Sequence, residues 1–280
     1  MSYYDLSGRV VVITGSTGGL GSAIAKSLHY KGAKLALLDL DIQAASAQAK
    51  TFGGSDIAEA WEVDVCSFES LETAMAAAAK HFGRIDVVIA NAGIEIVAPM
   101  ATLSPKSFDS LIDINLNGVW RTFKTGLPYV QQQKGYLMAI SSMAAFVHSP
   151  LQSAYTASKA GVWAMCDSIR LELKHLGVGV GSVHPTFFKT PMVDQMHADP
   201  AARKLWGGNE GGLWKMVTID AVVDGIIQGI EQRKDMIVVP RQNLPIANAP
   251  GMFRKIIEKL GFKQHDVVEA IALSDMSNKH

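Results

Sequence analysis

The chain has 280 residues, 48% of them hydrophobic, and 26 basic side chains balance 26 acidic ones. The zero net charge and the lack of a basic amphipathic stretch or a long apolar run favour neither nucleic acid nor a membrane as a partner. The two cysteines lie far apart in the sequence and form no metal motif. They predict reduced, buried thiols, no metal site and a cytoplasmic location.

Residues 9–30 predict a strand, a glycine-rich turn and a helix in direct succession. Val10–Ile13 is a β-branched run that suits a parallel strand buried on both faces. The next eight residues, Thr14–Gly21, contain four glycines, and apolar residues then recur at helical spacing. Glycines allow a phosphate to approach the backbone, and the start of a helix attracts an anion. The pattern favours nucleotide binding over an ordinary tight turn.

An acidic residue follows the second predicted strand, Lys34–Leu38. This residue, Asp39, lies 18 positions past Gly21. A carboxylate at this point can accept hydrogen bonds from both hydroxyls of an adenosine ribose, and it repels a 2′-phosphate. No nearby lysine or arginine is available to hold such a phosphate, so NAD is predicted rather than NADP. The alternative is that Asp39 caps the next helix, although Asp41 suits that position better.

Strands and helices alternate along the rest of the chain. Further strands are predicted at 57–63, 85–90, 136–140, 178–183 and 236–239, with helices at 67–82, at 104–132 and from 153 onwards. This alternation predicts an α/β fold with a doubly wound parallel sheet of about seven strands and helices on both faces. Ligands of such sheets bind outside the carboxyl ends of the strands. Small or polar residues follow four of these strands: Gly15, Asp39, Asp64 and Asn91.

Polar residues also occur on or before two of the predicted helices. Asn115 interrupts the apolar stripe of the helix at 104–132, where it is either a structural residue or part of a site. Tyr155 and Lys159 are one turn apart on the following helix and therefore point to one face. Ser142 stands just after the fifth strand. A tyrosine can exchange a proton near neutral pH only if its pKa falls, and the charge of Lys159 is expected to lower it.

Two segments break the alternation of strands and helices. Residues 189–216 follow the sixth strand, are rich in methionine and tryptophan and contain two glycine pairs. This composition predicts a substrate lid, and the alternative is a helical hairpin that only covers the core. Residues 241–280 predict a tail with amphipathic helices near 246–260 and 264–273, which are candidates for an oligomer interface. With no linker or repeat, residues 1–280 are expected to form a single domain.

Together these motifs resemble the short-chain dehydrogenase/reductase family over residues 6–239. Thr14–Gly21 matches the family's TGxxxGxG loop. The other family motifs follow in the family's order and spacing, at Asn91-Ala92-Gly93, Asn115, Ser142 and Tyr155-x-x-x-Lys159. Two positions depart from the family pattern. Ala90 replaces the first of two asparagines, and Thr186 replaces a glycine, which is expected to change the loop near the nicotinamide because threonine disfavours a positive φ.

The resemblance implies a Rossmann fold and a role for each matching residue. Ser142 would bind the substrate oxygen, Lys159 would also bind the nicotinamide ribose, and Asn115 would hold a water that links Lys159 to solvent. The expected catalytic residues are Asn115, Ser142, Tyr155 and Lys159. The expected cofactor contacts are Gly15, Thr17, Gly19, Leu20, Gly21, Asp39, Asp64, Val65, Asn91, Ala92, Gly93, Tyr155, Lys159, Pro185, Phe188 and Thr190. A homotetramer or homodimer is expected, with the helices that begin at Ser104 and Ser153 pairing across a two-fold axis.

The expected substrate pocket is mostly apolar. Its predicted walls are Ile94, Glu95, Met143, Ala144, Phe146, Gln152 and Phe187, together with Met192 and Trp206 from the lid. No arginine cluster is available for a phosphate or a carboxylate. The sequence therefore predicts NAD-dependent interconversion of a hydrophobic secondary alcohol and its ketone, such as an alicyclic, aryl or steroid-like compound. The alternatives are a 3-oxoacyl reductase and, in another class, an NAD-binding sensor without turnover.

Overall fold

The computed structural model describes residues 3–277, and seven parallel strands form its sheet. The strands are β1 (Val10–Thr14), β2 (Lys34–Asp39), β3 (Ala58–Glu62), β4 (Val87–Ala90), β5 (Tyr136–Ile140), β6 (Gly179–Pro185) and β7 (Met236–Val239). Their order across the sheet is β3-β2-β1-β4-β5-β6-β7. The predicted doubly wound fold is confirmed within the described residues.

Twelve helices are found in the described part of the chain. They are α1 (Gly19–Tyr30), α2 (Ile42–Phe52), α3 (Phe68–Phe82), α4 (Pro105–Ile112), α5 (Gly118–Gln132), α6 (Ser153–Leu173), α7 (Pro191–Ala198), α8 (Pro200–Trp206), α9 (Ile219–Glu231), α10 (Leu244–Asn248), α11 (Pro250–Gly261) and α12 (Gln264–Ser277). No helix among residues 3–277 is long and apolar enough to cross a membrane.

Each face of the sheet is covered by its own apolar layer. Val11 and Ile13 of β1 pack with α1 and α9, whereas Val10 and Val12 pack on the opposite face with α3, α5 and α6. The residues of β1 are all buried. Successive side chains of a strand point to opposite faces, so an unbroken apolar run is what a strand covered on both sides requires.

The helix predicted at 104–132 runs without a break from residue 105 to residue 132, but its hydrogen-bond pattern changes in the middle. A π-helical segment, Asp113–Asn117, joins α4 to α5, and Asn115 lies at its centre. A π-helical turn inserts an extra residue into the helix and is frequently found at functional sites. Sequence periodicity alone does not reveal it, because the apolar stripe continues on both sides.

A buried carboxylate fixes the amino ends of two central strands. Asp86 accepts hydrogen bonds from the Arg9 and Arg84 guanidinium groups (2.8 and 2.6 Å) and from the backbone N–H of Val10 (3.0 Å). Its side chain is fully buried, and both arginines are partly exposed. These bonds tie β1 to the segment that precedes β4, on the side of the sheet away from the carboxyl ends.

The insertion at 189–216 and the tail pack against each other. The insertion folds into α7, α8 and two short 3₁₀ turns, and α8 lies against α12 of the tail. Val193, Trp206 and Ala270 share one buried apolar cluster. The two cysteines are free; Cys166 is buried as expected, whereas Cys66 is only partly buried, which corrects the prediction for that residue.

Candidate active site

A cavity of about 740 Å³ opens at the carboxyl ends of the strands. The chain winds in opposite directions from β1 to β2 and from β4 to β5, which leaves a crevice at this edge of the sheet. Every predicted cofactor residue and every predicted substrate residue except Phe146 lines the cavity, as do Ser142, Tyr155 and Lys159. Among the predicted catalytic residues, Asn115 is the exception, because it is fully buried behind the wall.

The glycine loop leaves no room for side chains on its inner side. Gly15 has a φ of +63°, and a Cβ on Gly21 would lie 2.2 Å from the Gly15 carbonyl oxygen. Asn91 donates its side-chain amide to the carbonyls of Thr14 (3.0 Å) and Gly15 (2.9 Å), so the loops after β1 and β4 are joined. A substituent on either glycine would force this loop apart.

The start of α1 is open to an anionic group. No side chain caps this helix at Gly18, and Gly18, Gly19 and Leu20 line the cavity. The Ser16 hydroxyl is buried without a hydrogen-bond partner in the structure. Uncapped N–H groups at a helix start and a tight glycine cradle are suited to a pyrophosphate, so the residues present fit a dinucleotide.

Asp39 faces the same end of the cavity. One oxygen of its carboxylate accepts from the backbone N–H and the hydroxyl of Thr17 (2.9 and 2.8 Å). Asp41 caps α2, because its carboxylate accepts from the Ala44 backbone N–H at 3.0 Å. The alternative that Asp39 is a helix cap is therefore wrong, and its carboxylate is available beside the positions of Asp64 and Val65 on the cavity wall.

The predicted catalytic tyrosine and lysine meet in the middle of the cavity wall. The Ser142 side chain lies beside the Tyr155 hydroxyl and favours its ionised form. Lys159 is buried, its Nζ lies 5.5 Å from the centre of the Tyr155 ring, and it donates to the Ile140 carbonyl at 3.0 Å. Helix α6 packs against β6 and against the 3₁₀ turn Met143–Ala145 that follows Ser142.

The pKa values of this group are governed first by burial. Burial raises the pKa of Tyr155 above its ordinary value, and the negative charge of Glu95 raises it further. The neighbouring Ser142 side chain lowers the pKa and so opposes both effects. Burial also lowers the pKa of Lys159 to about 8. The expected lowering of the Tyr155 pKa is therefore not found in the protein alone, because desolvation of the phenolate outweighs the other influences.

Asn115 supports the loop that enters the cavity after β4. Its side-chain amide donates to the Ile94 carbonyl, and its oxygen accepts from the Ile94 backbone N–H, both at 2.8 Å. The same amide lies 3.4 Å from the Ser158 hydroxyl on α6. The Asn115 oxygen approaches the Gly93 backbone, and so does the Lys159 ammonium group. Asn115 thus connects the π-helical segment, the loop and α6, and its role toward a water remains a prediction.

The Ser142 loop rests on a buried histidine. His184 contacts the Ser142 carbonyl through Nδ1 (3.2 Å) and the Ser182 hydroxyl through Nε2 (2.8 Å). Burial lowers the pKa of His184 to about 4, which keeps the ring neutral. Phe146 packs on His184 beneath the loop and does not line the cavity, so its prediction as a pocket wall is wrong.

The substrate half of the cavity includes residues that the sequence did not predict. Asn243, Ile246 and Ile257 contribute from the tail, beside Trp214 of the predicted lid. The sequence analysis names the tail helices as candidates for an oligomer interface. Their amphipathic pattern was the only sequence signal that they cover an apolar surface. Thr186 also lines the cavity; its φ is not positive, and its N–H donates to the Val239 carbonyl at 2.8 Å, which binds the loop after β6 to β7.

The structure offers little for metal binding. Among residues 3–277, no three histidine, cysteine or acidic side chains come together in a group that could hold an ion.

Comparison with known proteins decides the family. Residues 9–201 match the family model described as short chain dehydrogenase. The protein belongs to this family. The chain is 33% identical over 214 residues to D-threitol dehydrogenase of Mycolicibacterium smegmatis, covering 76% of this chain and 79% of the relative. It is 32% identical over 207 residues to 3beta-hydroxysteroid dehydrogenase 1 of Eggerthella lenta, covering 72% and 78%.

A solved structure supports the fold assignment. A short-chain dehydrogenase/reductase from Burkholderia phymatum, in complex with NAD, superimposes with a TM-score of 0.78 and covers 90% of this chain and 97% of its own. Its sequence identity of 21% relates the folds alone. Family membership and the dehydrogenase relatives make this protein an oxidoreductase, and the predicted resemblance is confirmed.

Proposed function

We propose that the protein interconverts a hydrophobic secondary alcohol and its ketone with NAD as cofactor. The observation that carries the proposal is the placement of Tyr155, Ser142 and Lys159 on one wall of the cavity that also contains the glycine loop. A proton-transfer group and a dinucleotide cradle in one cavity are the two halves that such a reaction needs.

The cofactor half is assigned to the loops after β1, β2 and β4. The uncapped start of α1 suits the pyrophosphate, and Asp39 suits the adenosine ribose. When bound, NAD supplies the hydride acceptor and, in its oxidised form, a positive charge near the reacting atoms. The NAD of the Burkholderia phymatum complex agrees with this choice of cofactor.

The proton is assigned to Tyr155. In oxidation its phenolate accepts the proton of the substrate hydroxyl, and in reduction its hydroxyl donates a proton to the carbonyl oxygen. Ser142 lies beside Tyr155 and is placed to donate a hydrogen bond to the substrate oxygen and to stabilise the charge that develops on it.

The substrate class is inferred from the walls of the cavity. Met143, Phe187, Met192, Trp206 and Trp214 line it on the substrate side. Apolar walls with few polar groups are typical of sites for small apolar ligands. One relative is named for a small polyol and another for a steroid, so the compounds to be tested range in size between these two. The 3-oxoacyl reductase alternative is less favoured because such enzymes usually go with NADP, which Asp39 opposes.

We also propose that residues 189–216 act as a substrate lid. Met192, Trp206 and Trp214 line the cavity, and α7 follows directly from the loop after β6. The alternative is a purely structural hairpin, and the buried cluster that the segment shares with α12 is the observation in its favour. One segment can serve both purposes, because Trp206 contacts the cavity and the cluster.

A homo-oligomer is proposed as the working form. Helices α4, α5 and α6 carry the exposed large apolar residues Phe108, Trp120 and Leu171. Light scattering measures the mass directly. A dimer or tetramer supports pairing of these helices if Trp120→Glu reduces the mass, and a monomer contradicts it.

The test of the proposed reaction is spectrophotometric. A panel of alicyclic, aryl and steroid-like alcohols is incubated with NAD, and the corresponding ketones with NADH, while the NADH absorbance is followed. Turnover that is lost in Tyr155→Phe supports the enzyme. Tight NADH binding with no turnover across the panel supports the sensor.

A further inference from the structure

The substrate half of the cavity contains one acidic side chain in a mostly apolar surface. Glu95 lies in the loop after β4 and lines the cavity. The side-chain amide of Gln152 donates a hydrogen bond to its carboxylate. Gln152 is buried and lines the cavity one turn before Tyr155. The Glu95–Gln152 pair therefore lies near Tyr155, the proposed proton-transfer residue.

The backbone holds the two residues together. Leu151, next to Gln152, is buried with a φ of +63°, a strained conformation for a large side chain. The Leu151 carbonyl accepts a hydrogen bond from the Ala98 N–H at 2.8 Å. This bond joins the Glu95 loop to the segment before α6. Strain at such a position is maintained by the surrounding structure and is characteristic of functional sites.

A contribution to folding stability does not explain why residue 95 is a glutamate. None of the salt bridges among the described residues includes Glu95. An enclosed carboxylate without a salt bridge costs folding free energy. Burial raises the pKa of Glu95 to about 7, although the Gln152 hydrogen bond and the charge of Lys159 oppose the shift. A carboxylate has two oxygens and accepts several hydrogen bonds, so acceptor capacity remains beyond the bond from Gln152.

We propose that Glu95, held by Gln152, binds a second hydroxyl group of the substrate. The preferred substrates are then alcohols that combine an apolar body with a hydrogen-bond donor in addition to the reacting hydroxyl. This inference rests on the proposed function and narrows its substrate class. A buried site built to accept a hydrogen bond discriminates strongly against an analogue that lacks the donor, because the acceptor is left unpaired.

The test compares matched substrates on matched variants at pH 8. Cyclohexanol is compared with cyclohexane-1,2-, 1,3- and 1,4-diol, and kcat/KM is measured for the wild type, Glu95→Leu and Glu95→Gln. In the wild type we expect one diol to exceed cyclohexanol by about ten- to hundredfold. Glu95→Leu reduces that ratio to about one, and Glu95→Gln, which keeps a neutral acceptor, gives an intermediate ratio. Glu172→Gln, an exposed acid at the far end of α6, is the control and keeps the wild-type ratio.

A binding measurement separates this inference from the proposed reaction. Calorimetry measures diol and cyclohexanol binding to the NADH-loaded protein, so the subsite is tested even when no alcohol is turned over. Equal preference in the wild type and Glu95→Leu overturns the subsite while leaving the reaction intact. Binding of 4-aminocyclohexanol is measured as well, because a carboxylate also accepts hydrogen bonds from an ammonium group. Preference for this amine over every diol overturns the assignment to a hydroxyl.

Discussion

Thr17 gives both its backbone N–H and its hydroxyl to a single carboxylate oxygen of Asp39. The other Asp39 oxygen accepts only a 3.2 Å bond from the Asp41 N–H. The glycine loop therefore positions the carboxylate without using its full capacity to accept hydrogen bonds. This arrangement leaves acceptor capacity for the ribose contact proposed for Asp39, which would favour NAD over NADP.

Replacing Asp39 is expected to relax the cofactor preference. Asp39→Ala removes the repulsion of a 2′-phosphate, and Asp39→Arg adds attraction, so the ratio of kcat/KM for NAD to that for NADP falls in this order. Asp41→Ala is the control, since it removes a helix cap at a cost of about 1 kcal/mol and leaves the ratio unchanged. An unaltered ratio in both Asp39 variants contradicts the ribose assignment.

The tyrosine hydroxyl is expected to serve proton transfer and not cofactor binding. Tyr155→Phe keeps the ring and loses the proton, so kcat falls by about 10²–10⁴-fold. NADH affinity, measured by fluorescence titration, changes little. Tyr30→Phe alters an exposed tyrosine outside the cavity and is the control. A large loss of NADH affinity in Tyr155→Phe would be evidence against the assigned role.

The raised pKa of Glu95 makes its contribution to folding depend on pH. The pKa is about 7 in the folded protein and 4.5 for the ordinary side chain. The folded state retains the proton longer, so the contribution is fully present below pH 4.5 and is lost as the pH rises through 7. Denaturant unfolding at several pH values measures this effect. The stability of the wild type relative to Glu95→Gln is expected to decline over this range, and a constant difference excludes the shift.

The buried acid at the other end of the sheet is expected to stabilise the fold strongly. Asp86→Ala leaves Arg9 and Arg84 without their partner and the Val10 N–H without an acceptor. The loss is expected to be about 3 kcal/mol, because a buried pair is broken on one side. Glu258→Ala removes an exposed pair with Arg254 and costs less than about 1 kcal/mol. Equal losses in denaturant unfolding contradict the buried role.

The lid is expected to select substrates by size. Met192→Ala and Trp214→Ala remove apolar surface from the cavity wall, so KM rises about tenfold for bulky alcohols and less for small ones. Trp206 is unsuitable for this test because it is buried, and its truncation also damages the cluster shared with α12. Met252→Ala, at an exposed site on α11, is the control. Equal effects on bulky and small substrates favour a purely structural segment.

The strand pattern and the gathering of the proposed cofactor residues along one cavity were predictable from the sequence because their signals are local. A β-branched run, a glycine turn and an acid after the next strand lie within about 30 residues of each other. The carboxyl ends of parallel strands meet at one edge, so residues that follow strands share a site. Tyr155 and Lys159 were recognisable because helical spacing places them on one face.

The tertiary structure alone decided the features that depend on contacts distant in sequence. The insertion and the tail meet at α8 and α12, and Ile257 of α11 lines the same cavity as Met192 of the insertion. Phe146 packs onto His184, although Ala144 and Val147 line the cavity. The direction of the Tyr155 pKa shift followed from burial, which no spacing of charges along the chain reveals. The sequence by itself determined the sheet and the cofactor half, through short-range patterns; packing between remote segments determined the substrate half.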